Sequence, residues 1–183
     1  MAGELTTLDN VKAWLGVTNT DSDELLSRLI AAASQFIQTW AGRSFAVQDY
    51  SERRDGNGGR QMLFADFPVL SVSRVAVNRR EIPPIVEAGD NGYSFTPSKL
   101  TLDGFVFNRG ELNVLLEYKA GYETVPADVE QACIEMIALR FKERDRIGFQ
   151  SKSLAGETVT FFIKDMTDSA QSILNGYRKV APL

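Results

Sequence analysis

Residues 20–45 read TDSDELLSRLIAAASQFIQTWAGRSF, and this stretch decides the first half of the fold. Leu25, Leu26, Leu29, Ile30, Ala33, Phe36, Ile37 and Trp40 recur every three or four positions. That spacing places them on one stripe of a helix about five turns long. Asp21, with Glu24 three residues on, has the form of a capping box with Asp in place of Ser or Thr. Gly42 supplies the stop. Upstream, Thr6-Thr7-Leu8-Asp9 reads as a helix start, with Leu8, Val11, Trp14 and Leu15 as its apolar face and Gly16 as its end.

From Phe45 the pattern changes to alternation broken by turn residues. Tyr50–Arg54 and Gln61–Phe64 flank Asp55-Gly56-Asn57-Gly58-Gly59, which predicts two strands joined by a long, mobile hairpin loop. Leu70–Asn78 reads as a strand. Leu100, Leu102, Phe105 and Phe107 surround Asp103-Gly104, a preferred two-residue hairpin turn, and share one side in that register. Leu112, Val114, Leu116 and Tyr118 predict a further strand with an apolar face. Pro83-Pro84 and Pro97 mark breaks that a central strand does not tolerate.

Helix returns at Pro126, with Asp128 and Glu130 near its positive end and Val129, Ala132, Cys133, Met136, Ile137 and Phe141 as its stripe. Gly148–Gly156 reads as flexible, Thr158–Ile163 as extended, and Asp168–Arg178 as a short helix capped by Thr167. The fold class is therefore α+β. It is a small helical bundle (about three helices plus a short C-terminal helix) with an inserted antiparallel β element. The expected organisation is a helical core over 1–147 with a β-rich insert at about 46–119, then a flexible arm, extended segment and short helix over 148–183.

Composition narrows the chemistry. The 183 residues include no histidine and one cysteine, and the formal net charge is -4. The usual neutral-pH base and the commonest transition-metal ligand are thus missing. Cys133 lies inside an apolar stripe, where cysteine acts as a small hydrophobe. Gly56–Gly59 lacks the Lys-Ser/Thr ending and the following helix of a phosphate loop. Asp21, Asp23 and Glu24 are accounted for by a helix start, without a metal. No catalytic, metal or cofactor site is expected, and no cofactor. Met1–Asp9 has neither a basic start nor an apolar run, and no apolar stretch approaches a membrane span, so no membrane partner is expected. Basic residues gather at Arg53, Arg54 and Arg60, at Arg79-Arg80, and at Lys142, Arg144 and Arg146. Each group suits either a solvated face or contact with an acidic partner surface or passing DNA.

Two blocks carry a family resemblance. The first is Leu8-Asp9-Asn10-Val11-Lys12-Ala13-Trp14-Leu15, Thr20-Asp21-Ser22-Asp23-Glu24-Leu25-Leu26, Leu29-Ile30-Ala31-Ala32-Ala33 and Ala41-Gly42-Arg43-Ser44-Phe45. The second is Tyr118-Lys119-Ala120-Gly121-Tyr122 with Val125-Pro126-Ala127-Asp128-Val129-Glu130-Gln131-Ala132. The stretch Arg144–Gly156 and the late Gly176-Tyr177-Arg178 are similar too. In this order they resemble the tailed-phage head–tail connector, or head-completion, adaptors, in a longer variety with an enlarged β insert.

The resemblance implies a structural virion protein made in the host cytoplasm and placed at the neck. It would dock on the portal ring, self-associate into a ring of about twelve copies, extend a DNA channel without binding DNA specifically, and present a surface to a tail-side neck or tail-terminator protein. The partner-binding candidates are Arg53, Arg54 and Arg60, with Ile173, Leu174, Tyr177 and Arg178 of the last helix. That helix would either insert into a neighbouring subunit or fold back on its own core. The competing readings are another neck or tail-completion protein, a DNA-binding accessory protein and a metal-dependent nuclease.

Overall fold

A computed structural model describes residues 3–144, 151–154, 157–160 and 166–179. The chain divides into two compact units. One comprises Met1–Arg43 and Val125–Arg178, the other Ser44–Thr124 and Lys179–Leu183. The α+β class, with four helices and antiparallel sheets among the described residues, is the one expected.

The helical unit contains α1 (Leu8–Leu15), α2 (Asp23–Ala41), α3 (Ala127–Glu143) and α4 (Asp168–Asn175). Thr7 caps α1 by accepting from the Asn10 amide at 3.3 Å, and Gly16 ends it in the left-handed region at φ 68. The α2 start differs from the expected box: Ser22 is the cap residue, and no side chain caps the helix. Asp21 instead accepts from Asn19 Nδ2, while Asp23 is drawn to Lys12 at 2.7 Å.

Leu26, Ile30, Ala33 and Ile37 of α2 are buried in this unit, as are Val129, Ala132, Cys133, Met136 and Ile137 of α3 and Ala170 and Leu174 of α4. Each buried branched side chain contributes about 1.5–3 kcal/mol through its removal from water. Polar ties fix the register: Leu5 N–H donates to Ser34 Oγ at 3.0 Å, and Thr6 and Asn10 both donate to Glu130. Trp14 departs from the predicted stripe, with 55% of its surface exposed on α1.

Of the two placements expected for the last helix, the one on its own core is what forms. Thr167 caps α4 as predicted, accepting from the Ala170 amide at 3.1 Å, and α4 packs against α3 within the helical unit. Ser151–Leu154, read as flexible, is a strand (β8) antiparallel to β9 (Glu157–Thr160). Residues 148–150, 155–156 and 161–163 of those two predicted stretches, and Arg146, lie outside the described residues.

The β unit holds two antiparallel sheets. One has the order β1-β7-β3-β4, from β1 (Gln48–Gly56), β7 (Gly110–Ala120), β3 (Val69–Val77) and β4 (Arg80–Ile82). The other is β2-β6-β5, from β2 (Gln61–Leu63), β6 (Lys99–Asp103) and β5 (Gly92–Phe95). A single apolar cluster joins them: Met62, Leu100, Leu102 and Tyr93 from the second sheet meet Val75, Val77, Val114, Leu116 and Tyr118 from the first.

Two predicted hairpins are overturned. β1 pairs with β7 and β2 with β6, so the glycine-rich segment carries the chain between sheets instead of turning one strand back on its neighbour. β6 does not pair with Phe105–Phe107, because both of its edges are already taken, by β2 and β5. The side-chain grouping survives the change: Leu100, Leu102 and Phe107 are buried together, with Phe105 against them.

The Tyr118 hydroxyl bonds to Glu52 and accepts from the Asp66 amide at 3.2 Å. Burial, then the hydrogen bond with Glu52, push its ionisation far above the ordinary 10.0. The folded chain thus holds this proton more tightly than the unfolded chain does. Its contribution is complete below pH 10 and is lost as pH rises beyond that.

Tyr118→Phe is expected to lower stability at neutral pH by about 1 kcal/mol and to flatten its decline above pH 10, read from urea midpoints across an alkaline series. An unchanged slope would contradict the assignment. Leu174→Ala is expected to lower stability by about 2–5 kcal/mol, as removal of a core leucine does. A near-neutral value would mean that α4 does not pack on its own unit.

Candidate interaction surfaces

At one end of the β unit the glycine-rich segment meets two other loops, and the side chain of Asn113 ties them together. Its Oδ1 accepts from the Gly56 amide at 2.8 Å. Its Nδ2 donates to Asn108 O at 2.8 Å and to Asn78 Oδ1 at 3.0 Å. Its own carbonyl accepts from the Asn78 amide at 2.8 Å. Further bonds run from Gly58 N to Phe107 O at 2.6 Å and from Phe107 N to Gly59 O at 2.8 Å. The expected mobile loop is therefore tied along both sides. Gly56 is required by space, since a Cβ there would stand 1.8 Å from Asn108 O.

The backbone at this end is unusual. Asn78 and Arg79 have φ of 52 and 65, and as the two-residue turn between β3 and β4 they suit the hairpin twist. In β7, Glu111, Leu112 and Asn113 stand opposite the single residue Asp55, forming a bulge. Leu112 takes φ 47 there, and its amide donates to Asp55 Oδ1 at 2.7 Å. It departs from the predicted apolar face, with 56% of its surface exposed, because the bulge breaks the alternation before Val114.

The sequence candidates occupy different settings. Arg53 is exposed on β1. Arg54 pairs with Glu52 at 3.3 Å and donates to Leu63 O, so it links the two sheets. Arg60 is exposed, 4.0 Å from Asp103. In the helical unit Leu174 is fully buried and serves as core, so this fold does not present it to a partner. Ile173 beside it is half-buried. Tyr177 donates to Asp128 at 2.8 Å, and the Arg178 guanidinium lies 5.7 Å from the centre of the Trp40 ring.

Sequence reasoning missed Asn113, Leu112 and Arg109. Only Arg109-Gly110, a basic residue before a glycine at a strand start, offered a signal. Among the described residues no three His, Cys, Asp or Glu side chains gather as metal ligands, and no helix is long and apolar enough to cross a membrane. Cys133 is buried, its thiol pushed up to about 11 by desolvation.

Residues 4–180 match the head completion protein family (HCP). The chain belongs to that family. Its role is accordingly that of a structural virion protein, a head–tail connector or adaptor. No curated protein sequence matches it. Among solved structures it is similar to a chain in the neck of an empty gene transfer agent (GTA) particle computed with C6 symmetry. There the TM-score is 0.59 at 14% identity, over 98% of this chain and 92% of that one. A chain of the native GTA virion gives 0.57 at 14% identity, covering 100% and 94%. A chain in the neck of the native particle computed with C12 symmetry gives 0.55 at 14% identity, covering 100% and 97%. At this identity the likeness shows a shared fold, and it extends over both units.

Asn113→Ala would leave the Gly56 amide and the Asn108 carbonyl without their partner. A loss of about 1–3 kcal/mol is expected, together with faster hydrogen exchange at the Gly56 amide. Unchanged exchange would show that Asn113 does not organise this end.

Proposed function

We propose that this head completion protein sits in the virion neck, docks on the portal ring and joins neighbouring copies into a ring of about twelve. The ring continues the DNA channel and offers its far face to a tail-side neck or tail-terminator protein. The observation that carries the reading is the family match over nearly the whole chain. The shared fold with neck chains, from particles computed with C6 and C12 symmetry, supports the ring.

The role is mechanical and needs no catalytic step. Its chemistry is shape, apolar contact and charge at subunit boundaries. With no histidine in the sequence and the one cysteine buried and protonated, activated nucleophiles of the usual kinds are not at hand. The net charge of -4 suits a channel through which DNA passes without being held. The last helix and the turn after it, through Ile173, Tyr177 and Arg178, and the basic end of the β unit, through Arg53 and Arg60, are the contact regions this role would use.

Electron microscopy of the protein mixed with its portal is the test. The expected image is a twelve-fold layer stacked on the portal ring. A protein that leaves the portal bare, but binds the tail-side component, would instead be a different neck or tail-completion part.

A further inference from the structure

Asn113 does more than stabilise the end of the β unit, because each residue it fixes stands next to an exposed side chain. Arg79 follows Asn78, Arg109 follows Asn108, and Leu112 precedes Asn113 itself. Arg109 also lies against Gly58, where an added Cβ would come within 3.2 Å of its side chain. Arg80 is held 5.3 Å from the Phe105 ring centre. The bulge of β7 and the two loops bonded to Asn113 thus bring exposed Leu112, Arg79 and Arg109 to one end of the β unit on an organised backbone.

Leu112 is disfavoured twice where it stands. A left-handed backbone is unfavourable for a side chain with a Cβ, and its apolar surface faces water. Such outliers point towards function. The surrounding charges point towards an acidic partner. Asp55 is engaged by the Leu112 amide, Asp103 by the Gly104 amide and Arg60, and Glu81 by Arg74. Arg79, Arg80 and Arg109 are exposed and have no ion pair among the described residues, against two acids nearby that have none, Asp55 and Glu111, so the balance at this end is positive. An exposed leucine at the same end as these guanidiniums suits a protein surface better than a phosphate backbone, which offers no apolar socket.

The same chain carries a surface of the opposite character. The Lys12–Asp23 pair at 2.7 Å fastens the acidic first turn of α2 to α1. Exposed Glu24 and Asp21 lie there, and α1 presents Trp14 two residues beyond Lys12. A ring is built from heterologous contacts, in which one patch of each copy meets a different patch of the next.

We infer that the end bearing Leu112, Arg79 and Arg109 docks on a second copy of this chain, against Trp14 and the acidic start of α2. The inference rests on the ring reading above and names the contact that would make the ring.

Sedimentation velocity of the full chain over a range of concentrations, alone and with portal, tests it. Leu112→Gly removes the apolar side chain and relieves the left-handed backbone. The variant should fold at least as stably as the parent, yet self-associate about tenfold more weakly or worse. A merely structural leucine would not separate those two readouts. R79E/R109E and D21K/E24K should each weaken assembly, and a chain carrying all four reversals should regain it.

Rings that ignore Leu112→Gly and all the reversals would sink this inference and leave the ring reading standing. A parent chain that stays monomeric both alone and on the portal would sink the two together.

Discussion

A strand with neighbours on both sides has few main-chain groups to spare, and β7 is the longest such strand in the β unit. It pairs with β1 along one edge and β3 along the other, and Val114, Leu116, Tyr118 and Ala120 turn to the core. Its two ends carry the polar groups that organise the rest. At one end the Tyr118 hydroxyl joins Glu52 to the Asp66 amide, close to where Lys179 meets Asp66 at 2.8 Å. At the other, after the ladder breaks at Leu112, Asn113 takes over the pairing and draws three loops together. A buried donor or acceptor left unmatched is costly, so both ends are constrained by the same requirement that shapes the middle.

What the sequence revealed, and what it hid, follows from distance along the chain. The α2 stripe was legible because helical periodicity is a local property, and Leu26, Ile30, Ala33 and Ile37 are buried as the spacing requires. Strand pairing is not local. Asp103-Gly104 carries a strong hairpin signal, but β6 had already been claimed by β2 and β5, and nothing near residue 103 announces them. The glycines at 56–59 suggested looseness, whereas Gly56 is demanded by a carbonyl more than fifty positions away, at Asn108. Trp14 fitted the helical pattern and still lies outside, since periodicity marks a face without saying what covers it.

The candidate surfaces were legible in part. Runs such as Arg79-Arg80 show in the sequence as charge, but not that they share an end of the molecule with Arg109 and Leu112. That grouping depends on Asn113, whose polar side chain sits in an alternating strand like any other outward residue. The last helix was legible in its cap, Thr167, and in its apolar spacing. The destination of Leu174 was not: burial by α3 and exposure to a neighbour require the same residue type.

The β unit enters the chain at Ser44 and leaves it at Thr124. Just inside those points Ala46 bridges to Tyr122, the Phe45 and Tyr122 rings stack 6.1 Å apart, and Gly121, at φ 132, leaves no room for a Cβ against Ala46 O. The sandwich is thereby buttoned at its neck. For a helix pair separated by a long insert, loop closure grows only slowly with length, and here the two ends are already joined before the helices meet. Strands can be added to or removed from the far side of that button while α2 and α3 experience the same short link, which lets one helical scaffold carry inserts of very different size.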